Sequence, residues 1–443
     1  MSLDAYAKTL QSQLHHKLDY SLSATADYIL ERRSIRFFPL AGDKFAPNST
    51  RTCSFRLTGS GYIDPSTVRL CGTFHNKKDV ALQPTSAAHG LWSEARIIAA
   101  GSPIETVQNV AKVQEMIFRM MNPQAKVRYC DQSFPLQFAH ATAANNSNVE
   151  RGVLKYKEIP KSSAAGANPP FQMELLALGL FHGNTKLIPL RFMPMILEFT
   201  LGGLKQMFTD GGTDLDWELD GMHVLCDELL LDSSVDAALA ERLSAGTPLN
   251  IPINTHICFH QAIPAGSGTP TIVVNRALSK LNEVWCSFAK SVSETNGTKS
   301  PLVSEFYKGT TNGGASIANG STTMSLQVGD RRWPYYEPVN SDQSFMYELE
   351  KAIGAVGSQH KNIGLTLENY VGSERAFITA IDLESCPPSQ DISFTGLNSR
   401  DASATTLSWT GLGDGTGVPQ ACFVVLVAQI IVSLALDSTT VLE

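Results

Sequence analysis

Charge is scarce in this chain. Asp, Glu, Lys and Arg make up 17% of its 443 residues, against about 25% in an average soluble domain. A charge-poor exterior rich in Ser, Thr and Gly suits a compact β protein with short loops. It equally suits a protein much of whose surface meets other copies of itself. The formal net charge is -7 and no run of five like charges occurs. Nothing therefore resembles a basic arm that neutralises phosphates, and direct sequence-specific nucleic-acid binding is not expected.

The cysteines are few and scattered. The eight are Cys53, Cys71, Cys130, Cys226, Cys258, Cys286, Cys386 and Cys422, with no CxxC among them. That spacing argues against a disulfide framework or a zinc knuckle. It fits buried free thiols in a chain synthesised in a reducing cytosol. The opening MSLDAYAKTL lacks the basic-then-apolar pattern of a signal peptide. Asn48, Asn145, Asn296 and Asn319, each in an N-x-S/T triplet, are accordingly read as polar loop positions rather than glycan sites.

Common catalytic signatures are missing as well. GxSxG, HExxH, the Walker GxxxxGK[ST] and a strand-to-helix GxGxxG are all absent. No catalytic, cofactor-binding or metal-ligating residue is assigned, no cofactor is expected, and the chain is not read as an enzyme. Long apolar runs are nearly absent too. The longest, ACFVVLVAQIIVSLAL from Ala421 to Leu436, is shorter than the ~20 residues of a spanning helix. It is β-branched and interrupted by Gln429 and Ser433, so it reads as a long buried strand.

What the sequence does contain is alternation. A chain of 443 residues accommodates two domains of about 200 each. Cys53, Phe55 and Leu57 alternate with polar residues, then Gly59, Gly61 and Asp64-Pro65 break the run, and Val68, Leu70 and Phe74 resume it. Period-two alternation bounded by turn residues means half-buried antiparallel strands. Met195, Leu197, Phe199 and Leu201 form another such face before Gly202-Gly203. Strands are expected again at Leu215 to Leu231, Ile251 to Phe259, Val284 to Phe288, Phe377 to Leu383, Leu407 to Trp409 and Phe423 to Leu436.

Helical spacing interrupts the strands in a few places. Leu3, Tyr6, Leu10, Leu14 and Leu18 share one helical face, predicting a short amphipathic helix that packs on its own domain or on a partner. Val110, Val113, Ile117, Met120 and Met121 predict a second helix, stopped by Pro123. A short helix is expected around Val235 to Leu243. Another carries Phe345, Leu349, Ala352, Ile353 and Val356, with Ser341 or Asp342 as its cap. Each half thus runs strands, helix, strands, and ends in a long apolar strand, a pattern that favours duplicated β-sandwiches. The boundaries expected are an N-terminal arm at 1–30, a first domain at 31–203 and a second at 204–443.

Four local patterns invite chemistry. His256, Cys258 and His260 alternate in HICFH on one strand face, but residues two apart on a strand stand ~6.6 Å apart, too far for all three to share a zinc. Core or interface side chains are the better reading. Asp216, Glu218, Asp220, Gly221 and Asp227 mimic a calcium loop, yet Glu occupies the third position and no helices flank it. A strand with Leu215, Trp217 and Leu219 inward and a solvated or inter-subunit acidic face outward fits better. Gly411, Gly413, Gly415 and Gly417 form a glycine loop without a following helix. Arg331, Arg332 and Trp333 form a basic-aromatic cluster suited to a partner contact or a loop-end charge pair.

Several stretches resemble double jelly-roll major capsid proteins. They include FRLTGSGYIDPSTVRLCGTF (Phe55 to Phe74), LWSEARIIAAGSPIETVQN (Leu91 to Asn109), NRALSKLNEVWCSFA, SLQVGDRRWPYYEP, FITAIDLE, FTGLNSRDASATTLSW and the terminal TTVLE. The likeness covers about 400 of the 443 residues and lies in the order of the segments, not in one motif. It points to the capsid proteins of polinton-like viruses and related small protist DNA viruses. The resemblance implies an all-β chain of two consecutive eight-stranded antiparallel jelly-roll barrels with a few short helices. It implies homotrimers of pseudo-hexagonal outline that tile an icosahedral virion shell. It places Met1 to about Leu30 at the base, against neighbouring capsomers, minor or cement capsid proteins, or an inner membrane. Lys308 to Thr323 would be a long loop forming a tower or an inter-capsomer contact. The competing readings are a carbohydrate-binding or glycoside-active β-sandwich, which needs an exposed aromatic platform or a carboxylate pair, and a minor capsid protein.

Overall fold

A computed structural model describes residues 28–135, 156–164, 166, 168–184, 186–209, 215–290, 302–312, 314–354, 363–365, 367, 376–385, 396–400, 404–435 and 439–442. The expected N-terminal helix lies outside them, as do Cys386, Asn145, Asn296 and Val356.

Every strand pair among the described residues is antiparallel. The strands form two consecutive sandwiches. In the first, Trp217–Leu231 is the spine of one sheet: it pairs with Ile29–Phe37, Lys44–Phe45, Tyr62–Ile63 and Arg69–Asn76. The facing sheet runs Thr52–Leu57, Met195–Leu201, Trp92–Ala99, Ser102–Gln108. In the second, Ala421–Leu434 is the spine, flanked by Leu249–Ala262 and Leu281–Ala289. Its facing sheet runs Thr271–Val274, Thr405–Thr410, Thr323–Val328, Arg331–Trp333. Among the described residues the two sheets of each unit share no strand ladder, so each unit is a sandwich and not a closed barrel. Among the described residues the sheets hold seven and four strands in the first unit, with a separate two-stranded ribbon, and five and four in the second.

The alternation in the sequence is the burial pattern in space. Met195–Leu201 alternates strictly buried and half-buried. Cys53, Phe55 and Leu57 are fully buried, as are Leu70 and Phe74, and Trp217 and Leu219 point inward beside them. Trp217 stacks on Phe74 at 5.4 Å between ring centroids. The second core gathers on Trp409, edge-on to Phe288 at 5.0 Å and stacked with Phe345 at 5.8 Å. The apolar run near the C-terminus is a central strand buried on both faces, which removes any need for polar alternation. Among the described residues no helix is long and apolar enough to cross a membrane.

The expected division at Gly202-Gly203 is corrected by strand pairing. Those glycines end Met195–Leu201, but the chain then returns to the first unit and builds its spine, Trp217–Leu231. The crossover is the helix Ser233–Ser244 (named α3 below), which leads into Leu249 of the second unit. A glycine pair marks a turn, and here the turn is internal to a sandwich.

Four helices are described. α1 is Val110–Met120 and α2 is Pro123–Gln132. Pro123 does more than stop α1; it also opens α2, where Asn122 accepts a hydrogen bond from Ala125 N at 2.7 Å. Proline suits a first helical turn because its missing N–H has no partner there in any case. α3 follows the first spine. α4 is Asp342–Ala352, capped as expected by Ser341, whose hydroxyl accepts from Ser344 N at 3.2 Å.

Candidate functional site: the seam between the sandwiches

The four patterns singled out in the sequence do not meet. His260 is exposed and stacks on Phe423 at 4.7 Å. Cys258 is buried, and burial pushes its thiol up to about 12. His256 is buried and its Nδ1 lies 2.9 Å from Ala177 O in the first sandwich. Burial pulls it down to about 4, so it is neutral at physiological pH. The core-or-interface reading of HICFH therefore holds for His256 and Cys258.

On Trp217–Leu231 two of the acids of that row, Glu218 and Asp227, are paired within the chain at the surface of the sheet. Glu218 accepts from Lys44 and Lys77 at 3.0 Å each, and Asp227 pairs with Arg32 at 2.7 Å. One residue further on, Glu228 pairs with Arg33 at 2.7 Å and accepts from Gly61 N at 2.9 Å. These cations come from the strands on either side, so the row is a strap across the outer sheet.

Arg331 and Arg332 sit on an exposed edge strand, with Trp333 5.5 Å from Tyr335. The loop after Tyr307 is anchored at several points. Lys308 is buried in an ion pair with Asp342, the Tyr307 hydroxyl donates to Gly417 O at 2.9 Å, and Thr310 bridges to Ser316. The glycine loop packs on this segment, where a side chain at Gly417 would collide with Thr310 O. Asn319 accepts from Asp342 N at 2.9 Å, tying down the start of α4.

What sequence reading missed is the seam. α1 projects Val113, Met116 and Met120 into apolar surroundings, yet its polar residues are buried as well. Lys112, Glu115 and Arg119 recur at spacings of three and four, one stripe of the helix. A stripe of that kind normally faces water, and nothing in the sequence marks this one as covered.

The stripe is covered because the second sandwich lies on it. Lys112 Nζ donates to the backbone carbonyls of Glu305 and Val303, and stands 3.7 Å from the Phe306 ring centroid. Lys126 Nζ, from α2, donates to Gly364 O at 3.0 Å. Met120 O accepts from Gly364 N at 3.1 Å. Burial pulls both lysines down to about 7; for Lys112 the nearby Glu305 and Glu115 oppose the shift without reversing it. Burial would raise the Glu115 carboxyl, but Arg119 (Nε at 2.6 Å) and His89 (Nε2 at 2.6 Å) outweigh it and hold it at about 2. A carboxylate only accepts, so His89 Nε2 carries the proton. Gln114 donates to the Tyr129 hydroxyl at 2.9 Å, leaving that hydroxyl to reach His89 Nδ1 at 3.2 Å.

Close backbone approach completes the seam. A Cβ at Gly179 would lie 1.9 Å from Asn254 O of the second sandwich, and one at Gly364 would lie 1.9 Å from Met121 O of the first. Real side chains do not approach that closely, so both positions require glycine. Beside Gly179, its own N–H and that of Leu180 donate to Glu105 at 2.9 and 3.3 Å. Burial nonetheless raises Glu105 to about 7. The two sandwiches thus meet through buried polar contacts and close backbone packing. Among the described residues no group of three His, Cys, Asp or Glu could hold a metal ion.

No protein-family profile and no curated protein matches the sequence. Solved structures do match over nearly the whole chain. A chain of PBCV-1 VP54, fitted into a reconstruction of the virophage Sputnik, is 13% identical, with a TM-score of 0.62 over 95% of this chain and 98% of that one. A chain of the Sputnik virophage structure is 9% identical, with a TM-score of 0.59 over 96% and 91%. The Faustovirus major capsid protein is 8% identical, with a TM-score of 0.56 over 95% and 94%. At these identities the likeness establishes the fold, and the fold is the double jelly roll.

Proposed function

We propose that the chain is a major capsid protein whose homotrimers are pseudo-hexagonal capsomers of an icosahedral virion shell. The full-length correspondence with capsid chains from three viruses carries this reading, because it extends to both sandwiches and their mutual placement. Physical chemistry supports it. A tile that must present six similar units around a threefold axis needs its two units held at a fixed angle, and the seam supplies buried lysine–carbonyl hydrogen bonds and close glycine contacts between them. The role is structural, with no residue assigned to catalysis or cofactor binding. The partners are other copies of the chain, in the trimer and in neighbouring capsomers. Minor or cement proteins at capsomer seams, and an inner membrane, would be met through the N-terminal arm. The place of action is the virion capsid.

The test is mass and shape together. Light scattering on the purified chain should give a trimer of 48.0 kDa subunits, about 144 kDa, and images of that species should have a hexagonal outline. A monomer at micromolar concentration in assembly buffer contradicts the reading.

A further inference from the structure

An apolar groove of about 510 Å³ opens where the two sandwiches and the crossover helix converge. Leu187 and Pro189 come from the first unit, Leu231 and Leu239 flank the start of α3, and Leu249 and Leu434 come from the second. Both charged residues of its wall, Lys186 and Arg242, are cations. Leu187 is exposed and Leu231, Leu239 and Leu249 are half-buried, so the groove leaves apolar surface open to water that a covering segment would bury.

The chain itself enters at this place. Tyr28 O accepts from Asp232 N at 2.9 Å, one residue beyond the groove's Leu231, and Ile29 is in register with Leu231. Tyr28, Ile29 and Leu30 are all exposed, Leu30 to 67%. Preceding them are 27 residues whose Leu3, Tyr6, Leu10, Leu14 and Leu18 recur at helical spacing. Those residues contain three aspartates (Asp4, Asp19, Asp27) and two lysines (Lys8, Lys17), so carboxylates are present for the cations of the groove wall and no net positive charge opposes them.

We propose that this groove seats the chain's own N-terminal segment, residues 1–27, with the leucine face inward. A second copy or a membrane would have to displace it. A tether attached at the rim gives the segment a high effective concentration at the groove, which a free partner lacks. The inference concerns a single chain and does not depend on the capsid reading.

Limited trypsin digestion of the full-length chain tests it, using Lys8 and Lys17 as reporters and Arg331 and Arg332 as an internal control. Leu239→Asp and Leu187→Glu alter positions that are only partly covered, so the sandwiches should fold. Each should speed cleavage at Lys8 and Lys17 by about tenfold, the scale expected when a buried leucine contact is lost and local opening follows. The control sites should be unchanged. Leu10→Asp, placed in the segment itself, should have the same effect and cannot disturb the groove. Equal rates at Lys8 and Lys17 in native chain and variants overturn the proposal. A Leu10→Cys/Leu239→Cys chain separates the occupants: an intrachain disulfide supports it, and a disulfide-linked dimer assigns the groove to a second copy instead.

Discussion

Lys112 Nζ of the first sandwich stands 3.7 Å from the centroid of the Phe306 ring of the second, while donating to the carbonyl of Glu305 next to that ring. One side chain thus satisfies backbone acceptors and packs on an aromatic face across the same boundary. Replacing it with methionine keeps the volume and loses the donor. Apolar replacement of a buried charge is often neutral, but here two carbonyls, of Val303 and Glu305, lose this donor. The loss should dominate, at about 1–3 kcal/mol. Urea unfolding of Lys112→Met checks this; a midpoint at or above that of the native chain would show that the lysine is only tolerated.

Glu115 and Glu218 each accept from two partners, but in opposite surroundings. Glu115 is wholly buried between Arg119 and His89, whereas Glu218 lies at the surface between the exposed Lys44 and Lys77. Breaking a buried pair leaves charge in a dry site and costs about 3–5 kcal/mol, while exposed pairs are screened by water and salt. Glu115→Gln should therefore lower the unfolding midpoint strongly. Glu218→Gln should barely move it at physiological ionic strength. Similar effects in the two variants would refute the claim that the buried Glu115 pairs, not the surface strap, carry the larger share of stability.

Gly179 packs on the Asn254 backbone with no room for a methyl group. Gly179→Ala must push the sandwiches apart or bend one strand, at about 1–3 kcal/mol, the range for overpacking. The angle between the units should shift, so trimer yield should fall by more than the stability loss explains. Native-like trimer yield in a destabilised Gly179→Ala chain would mean that trimers tolerate a looser seam.

Much of this fold was legible because sheet alternation is local. Met195–Leu201 and Thr52–Leu57 disclose their buried faces residue by residue, and Ser341 discloses the start of α4. The failures are non-local. Gly202-Gly203 reads as a boundary because no local signal says that Trp217–Leu231 turns back to pair with Arg69–Asn76. Nothing local marks Lys112 and Lys126 as covered, because only the folded chain brings Val303–Glu305 and Gly364 over them. Lys308 reads as part of an exposed loop because its partner Asp342 is a helix start that sequence alone does not carry to it.

The ionisable groups of the seam predict an unusual pH profile. Glu115 is held at about 2, below its unfolded value, so its contribution is lost as pH falls from about 4.5 towards 2. Glu105 is raised to about 7, so the folded state binds the extra proton between about 4.5 and 7, and stability must fall as pH rises across that window. Lys112 and Lys126 are lowered to about 7, so the unfolded state binds the extra protons above that, and stability must rise from about 7 towards 10. His256, lowered to about 4, adds stability as pH rises from about 4 to 6.5 and opposes Glu105 there. The buried Glu283 of the second sandwich, raised to about 8, reinforces the fall, so the sum is a trough near neutral pH between two shoulders. Urea midpoints measured from pH 4 to 10 should trace it. Glu105→Gln removes the titrating proton while keeping an acceptor for the Gly179 N–H, so it should flatten the fall between pH 4.5 and 7 and leave the rise above 7 intact. Its own effect on that limb should be on the order of 2–3 kcal/mol, since each tenfold change in proton affinity is worth about 1.4 kcal/mol. A Glu105→Gln profile identical to the native one between pH 4.5 and 7 would mean that Glu105 is solvated in the folded chain, and that the sandwiches meet less closely than the Gly179 contact implies.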